Sequence, residues 1–134
     1  MVYAVIDTNV FVSAYMTHNP KSATSIVVDC MFRNRIVPLY NDEILAEYTE
    51  VLSRSHFRIS QEERQGLFDF IRQCGIYAER AKFDELFIDE SDRVFYEIAL
   101  SKEDSFLVTG NLKHYPIDPR IVTPAEMLHI LGVD

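Results

Sequence analysis

The sequence predicts an α/β protein built on a mainly parallel sheet flanked by helices. Three observations carry this. Short apolar runs of strand character alternate with longer segments of helical periodicity along all 134 residues. Helix-start signals recur after those runs: Asn41 before Asp42-Glu43, the capping box Ser60–Glu63, and Thr123-Pro124-Ala125-Glu126. No repeat, linker or low-complexity stretch interrupts the alternation, and the length suits a single domain over 1–134.

The elements follow in order. A first strand covers Val2 to Ile6 and stops at Asp7. A short helix over Val10 to Met16 ends at His18-Asn19-Pro20, where Asn19 as cap and Pro20 at the first helical position predict a second helix to Arg33. A second strand runs from Ile36 to Tyr40. Asn41 caps a third helix whose buried face is Ile44, Leu45, Tyr48, Val51 and Leu52. At about 100° per residue, Glu47 falls at the margin of that face, while Glu43 and Glu50 point further toward solvent. A fourth helix carries Leu67, Phe70, Ile71 and Cys74 on one face, with Gly75 as its C-terminal glycine. Ile76 to Ala78 is a weak third strand. After the acidic stretch FDELFIDESD, a helix starts near Ser91 or Asp92 and buries Val94, Phe95, Ile98 and Ala99. Ser105 to Thr109 is the fourth strand, closed by Gly110-Asn111 and a turn at Lys113-His114. A brief strand at Ile121-Val122 and a last helix ending at Gly132 complete the chain.

The bulk numbers narrow the class. A content of 48% hydrophobic residues is ordinary for a globular core. Cys30 and Cys74 lie among apolar neighbours and read as reduced core thiols of a cytoplasmic protein. No basic leader with a small-residue cleavage site precedes the first strand, and no apolar run reaches membrane-spanning length. The net charge of −8 disfavours a nonspecific electrostatic grip on nucleic acid. It is compatible with a nuclease, because carboxylates gathered for a divalent cation raise the negative count.

In a parallel sheet the carboxyl ends of the strands share one edge, and ligand sites form there. Asp7 and Asn111 follow strands at that edge, Asp92 opens a helix there, and Glu47 lies in the second turn of another. Each has a plain alternative. Asp7 and Asp92 could be helix caps, Glu47 a surface residue, Asn111 a turn residue, and Asp89 either a cap or a further ligand. Taken together, carboxylates from three distant segments raise one another's pKa, and a hard divalent cation resolves the conflict. Such a cation can activate water and polarise a phosphoryl oxygen, so the set suits phosphodiester hydrolysis.

The stretches VIDTNVFVSA, EILAEYTEVL, DESDRVFYEIA and FLVTGNLKHYP resemble the PIN domain, in the right order and over nearly the whole chain. The similarity is greatest to the branch of toxin components of toxin–antitoxin systems. The resemblance implies a three-layer α/β/α sandwich and an Mg²⁺- or Mn²⁺-dependent endoribonuclease. It assigns Asp7, Glu47 and Asp92 as the metal-binding catalytic acids, with Thr8, Asn9, Thr109 and Asn111 in support. Many members carry Asp where this chain has Asn111, which bears on a second metal ion. The resemblance also implies an RNA substrate and an antitoxin partner that covers the site. Val12, Tyr15 and Met16 form either a groove or homodimer face, or core.

Two other readings stay open. One is a catalytically impaired domain of the same fold that binds RNA or regulates. The other is a phosphatase forming an aspartyl-phosphate on Asp7, disfavoured because position 9 is Asn. His114 and Lys113 are either phosphate contacts or plain surface. Arg54, Arg58 and Arg64 are either an RNA-facing rim or a solvated helix end.

Overall fold

The computed structural model describes residues 1–133, so Asp134, the last residue of the single-domain span, lies outside it. Five strands, β1 (Val2–Ile6), β2 (Ile36–Tyr40), β3 (Ile76–Tyr77), β4 (Ser105–Val108) and β5 (Ile121–Val122), form one all-parallel sheet in the order β3-β2-β1-β4-β5. β1 is the central strand. It pairs with β2 from Val2 opposite Ile36 and with β4 from Tyr3 opposite Ser105 to Ile6 opposite Val108. Ala4, Val5 and Ile6 are buried, as a strand covered on both faces requires.

Six helices cover the sheet: α1 (Thr8–Met16), α2 (Ala23–Phe32), α3 (Asp42–Leu52), α4 (Gln61–Cys74), α5 (Arg93–Leu100) and α6 (Pro124–Leu131). α2 packs between α1 and α6, while α3 packs on α4 and α5, and α5 lies against β1, β2 and β4. The result is the expected three-layer α/β/α sandwich. The amphipathic faces of α3 and α5 supply much of the core through Ile44, Tyr48, Leu52, Phe95 and Ile98. Cys30 and Cys74 are free thiols, as predicted. Among the described residues no helix is long and apolar enough to cross a membrane.

Most predicted ends hold. Asn41 accepts from the Ile44 N–H at 2.8 Å, and both capping boxes are formed, at Ser60 with Glu63 and at Thr123 with Glu126. Two helix starts and the conformation at one helix end are among the differences. α1 begins at Thr8 rather than Val10, so Asp7 directly abuts the helix. α2 begins at Ala23 rather than Pro20. Asn19 bends the chain by accepting from the Lys21 N–H at 3.0 Å, and Ser22 is the residue that caps, accepting from Ser25 N–H at 3.3 Å. Gly75 ends α4 in an extended conformation, not a left-handed one. A Cβ there would stand 2.5 Å from the Ile71 carbonyl oxygen and 2.6 Å from that of Pro38, so glycine is required by close packing.

Between β3 and α5 the chain has no regular structure apart from one 3₁₀ turn, Glu90–Asp92, yet it is tied down. Glu97, a buried carboxylate on α5, accepts from Arg80 Nε at 2.6 Å and from the Phe83 N–H at 2.9 Å. Burial alone would raise its pKa, but the Phe83 amide and the Arg80 guanidinium outweigh that, and the net shift is downward. Arg80 continues to Glu43 at 2.8 Å, and Arg93 donates to the Glu85 carbonyl at 2.8 Å.

Candidate active site

Asp7 is the residue that β1 delivers to the carboxyl edge of the sheet. It occupies the position before α1 but makes no capping hydrogen bond, so the helix-cap alternative fails. Its carboxylate is buried and turned inward. Oδ2 accepts from Thr109 Oγ1 at 2.8 Å, from the Tyr115 hydroxyl at 2.9 Å and, more weakly, from Asn9 Nδ2 at 3.4 Å. Burial raises the Asp7 pKa, and the Thr109 and Tyr115 donors oppose the rise. The backbone amides of Thr8 and Asn9 weigh the same way without completing a cap.

Asp92 ends a short 3₁₀ turn, Glu90–Asp92, ahead of α5. It too stands at a helix start without capping it. Asp89 caps the 3₁₀ turn itself, its Oδ1 accepting from the Ser91 N–H at 3.0 Å. Asp92 Oδ2 is buried and has no hydrogen-bond partner among the described residues. His114 Nδ1 stands 3.3 Å from it, close enough for charge attraction but outside hydrogen-bond geometry. Burial, then the charges of Asp7 and Asp89, push the Asp92 pKa up to about 6, with His114 opposing. Two carboxylates at helix starts, Asp7 buried and Asp92 half-buried, neither capping its helix, are held there for something other than helix stability.

Glu47 is half-buried on α3 at the edge of the same cleft, as its helical phase predicts. Burial raises its pKa first, and Glu50, Asp7 and Asp89 add to the rise. Glu43 and Glu50 are engaged outside the site, by Arg80 and Arg54. The cleft holds about 320 Å³, and Asp7, Glu47, Asp89, Asp92, Asn111 and His114 all line it.

The supporting residues divide. Asn9 bridges two strand ends, donating to Asp7 and accepting from the Gly110 N–H at 3.2 Å. Thr109 holds Asp7 and accepts from the Asn111 N–H at 3.0 Å. Thr8 does not give the expected hydrogen bond: its buried Oγ1 has no partner among the described residues. Asn111 is exposed on the cleft wall. Of the possible basic rim, Arg54 pairs with Glu50, and Arg64 bonds the Ile59 carbonyl. Val12 lines the cleft and Tyr15 is half-buried, while Met16 is exposed.

Two residues of the site escaped the sequence reading. Tyr115 donates to Asp7 from beyond β4, and burial followed by the Asp7 charge raises its own pKa far above the usual range. Tyr48, assigned only to the core, donates its hydroxyl to the Ile6 carbonyl directly beside Asp7. A buried Tyr needs a partner for its hydroxyl, which was the available signal, but nothing in the sequence named that partner.

The donors facing the cleft are chiefly carboxylate oxygens with the Asn111 amide, a set that suits a hard divalent cation, and the His114 imidazole stands beside them. The orphaned Asp92 Oδ2 and the raised pKa of Asp92 fit the same group. Among the described residues no three His, Cys, Asp or Glu side chains converge tightly enough to enclose an ion by themselves. Like charges explain this: Asp7 leans on Thr109 and Tyr115, and Asp92 toward His114.

A family model described as the PIN domain matches residues 3–113, which span every one of these acids. The chain belongs to the PIN domain family. PIN domains are in general nucleases, and the family uses divalent metal ions. A comparison with curated proteins found no match.

Proposed function

We propose that this PIN domain is an Mg²⁺- or Mn²⁺-dependent endoribonuclease acting at the cleft between Asp7, Glu47 and Asp92. The observation that carries the reading is the pair Asp7 and Asp92. Asp7 is buried and Asp92 half-buried at the carboxyl edge of the sheet, both have raised pKa values, and neither caps its helix. Such a pair is destabilising unless a cation neutralises it. Asp7 and Asp92 would hold the metal, with Glu47 completing the set directly or through water. When bound, the ion would activate water and stabilise charge on the phosphoryl group.

The chain's own residues supply the rest. Thr109 and Tyr115 fix Oδ2 of Asp7, which leaves Oδ1 as the oxygen free to turn toward the cleft. Glu47 would orient the attacking water from the α3 side. His114 and Asn111 stand at the rim, where they can meet the phosphate backbone of RNA. A toxin role, with an antitoxin covering the cleft in the cytoplasm, belongs to this reading and rests on the motif resemblance.

Incubation of the purified protein with a single-stranded RNA oligonucleotide and Mn²⁺ is the test. Cleavage that requires the cation and disappears in Asp7→Asn supports the reading. Cleavage that persists in Asp7→Asn overturns the site. RNA binding without cleavage supports the second reading, a non-catalytic domain, which the exposed Asn111 at the place of a fourth acid favours.

A further inference from the structure

The acidic cleft has an apolar side that the chemistry proposed for it does not use. Val12 of α1, Val51 of α3 and Phe57 line it together with the carboxylates. Val12 and Phe57 rest on the core beneath, yet all three keep part of their surface open. Phe57 carries the only phenyl ring among the described lining residues. A hard cation takes oxygen ligands, so these side chains offer nothing to a metal or to the phosphate it holds. They suit a different part of a substrate.

The backbone that carries Phe57 is held in a fixed pose. Phe57 ends a 3₁₀ turn, Ser55–Phe57, between α3 and α4. The Phe57 N–H donates to the Arg54 carbonyl and the Arg58 N–H to the Ser55 carbonyl, both at 3.1 Å. Arg58 closes the turn at φ +55°, a left-handed conformation shared with only Asn34 among the described non-glycine residues. An L side chain is disfavoured there, and strain of this kind collects where a ligand contact must be held in place. Ile59 is buried directly after it, and Arg64 donates to the Ile59 carbonyl. The His56 ring lies against Phe57, 4.2 Å between ring centres. Arg54 is paired with Glu50, whereas Arg58 is exposed and makes no ion pair among the described residues.

We propose that Phe57 is the platform on which an unpaired nucleobase of the RNA stacks, beside the phosphodiester held at Asp7 and Asp92. The proposal deepens the nuclease reading and rests on it for the place of the phosphate. A nucleobase is flat and uncharged, so it can lie against the apolar side of a cleft whose carboxylates repel bare phosphate. Base–aromatic stacking tolerates any sequence but requires a base released from pairing. Phe57 thereby selects single-stranded RNA, and Arg58 adds positive charge beside the bound strand.

The test is fluorescence anisotropy of the whole chain with a short single-stranded RNA oligonucleotide and with its abasic counterpart, which keeps every sugar and phosphate. Ca²⁺ replaces Mn²⁺, so that binding is read without turnover. Wild type should bind the base-bearing strand about tenfold more tightly than the abasic one. Phe57→Leu keeps apolar bulk without the ring and should lose most of that preference. Phe57→Tyr keeps the ring and should retain it. A role in packing alone would change the melting temperature and leave the ratio of the two affinities as in wild type. The proposal is overturned if wild type binds both strands equally or binds neither, if Phe57→Leu keeps the wild-type ratio, or if Phe57→Tyr loses it. The nuclease reading fails on a different result, the absence of Mn²⁺-dependent cleavage, which this ratio does not measure.

Discussion

Tyr115 donates its hydroxyl to Oδ2 of Asp7 at 2.9 Å, joining residues 108 positions apart in the chain. The contact is buried and charge-assisted, so it orients the carboxylate as well as stabilising it. With Thr109 on the same oxygen, it decides which oxygen of Asp7 is left for the cleft.

Tyr115→Phe keeps the ring against Phe87 and removes only the donor. Hydrogen bonds to charged groups contribute about 1.5–3 kcal/mol. Without this one, the Asp7 pKa rises further and protons compete better with a cation. The expected outcome is Mn²⁺ binding at neutral pH weakened by roughly tenfold or more, read by calorimetric titration. Unchanged affinity would show that Tyr115 serves packing alone.

Asp92 gives a pH dependence of defined sign. Its pKa is about 6 in the folded protein against 3.8 for an ordinary Asp. Between those values the folded state holds a proton that the unfolded chain has released. Stability from this group therefore falls as pH rises through that window and stays reduced above it. Metal-free Asp92→Asn should be more stable than wild type at pH 7 by on the order of 1–3 kcal/mol. The advantage should shrink toward pH 4, and wild type alone should gain stability from Mn²⁺. Denaturant melts at several pH values in chelator check this. An Asp92→Asn protein less stable than wild type at neutral pH would contradict it.

Asn111→Asp adds a carboxylate to the cleft wall. Because Asn111 is exposed, the fold should tolerate the change without a cation. Mn²⁺ affinity should rise by about 0.5–1.5 kcal/mol, in the range of a hydrogen-bonding group gained. A titration showing equal affinity in the two proteins would place Asn111 outside the ion's reach.

Gly75→Ala tests the packing of α4 on β2. The new Cβ meets two backbone carbonyl oxygens at 2.5 and 2.6 Å, and neither can rotate away. The expected loss is about 1–3 kcal/mol, visible as a lower urea midpoint with unchanged m-value. By contrast, Gly66 has nothing within 4 Å of an added Cβ, so Gly66→Ala should not destabilise.

Much of this molecule is legible in the chain alone. The alternation of strand and helix patterns, Asn41, and the two capping boxes yielded a mainly parallel sheet flanked by helices, whereas the strand order with β1 at the centre came only from the structure. They did so because these signals act locally, through periodicity and through backbone amides a few residues away. The same local logic placed Asp7 at a strand end and Glu47 at the margin of α3. It misplaced the start of α2, because Asn19 and Ser22 compete for one chain reversal and their side-chain hydrogen bonds decide the winner. Only the tertiary structure decided that Asp7 and Asp92 leave their helices uncapped, that Tyr115 and Thr109 grip one oxygen of Asp7, and that Leu86 and Ile88 face outward while Phe83 and Phe87 turn in. Those outcomes depend on groups brought together across the sheet from far apart in the chain. Burial and charge at such a meeting point are properties of the assembled layers, and no single segment carries them.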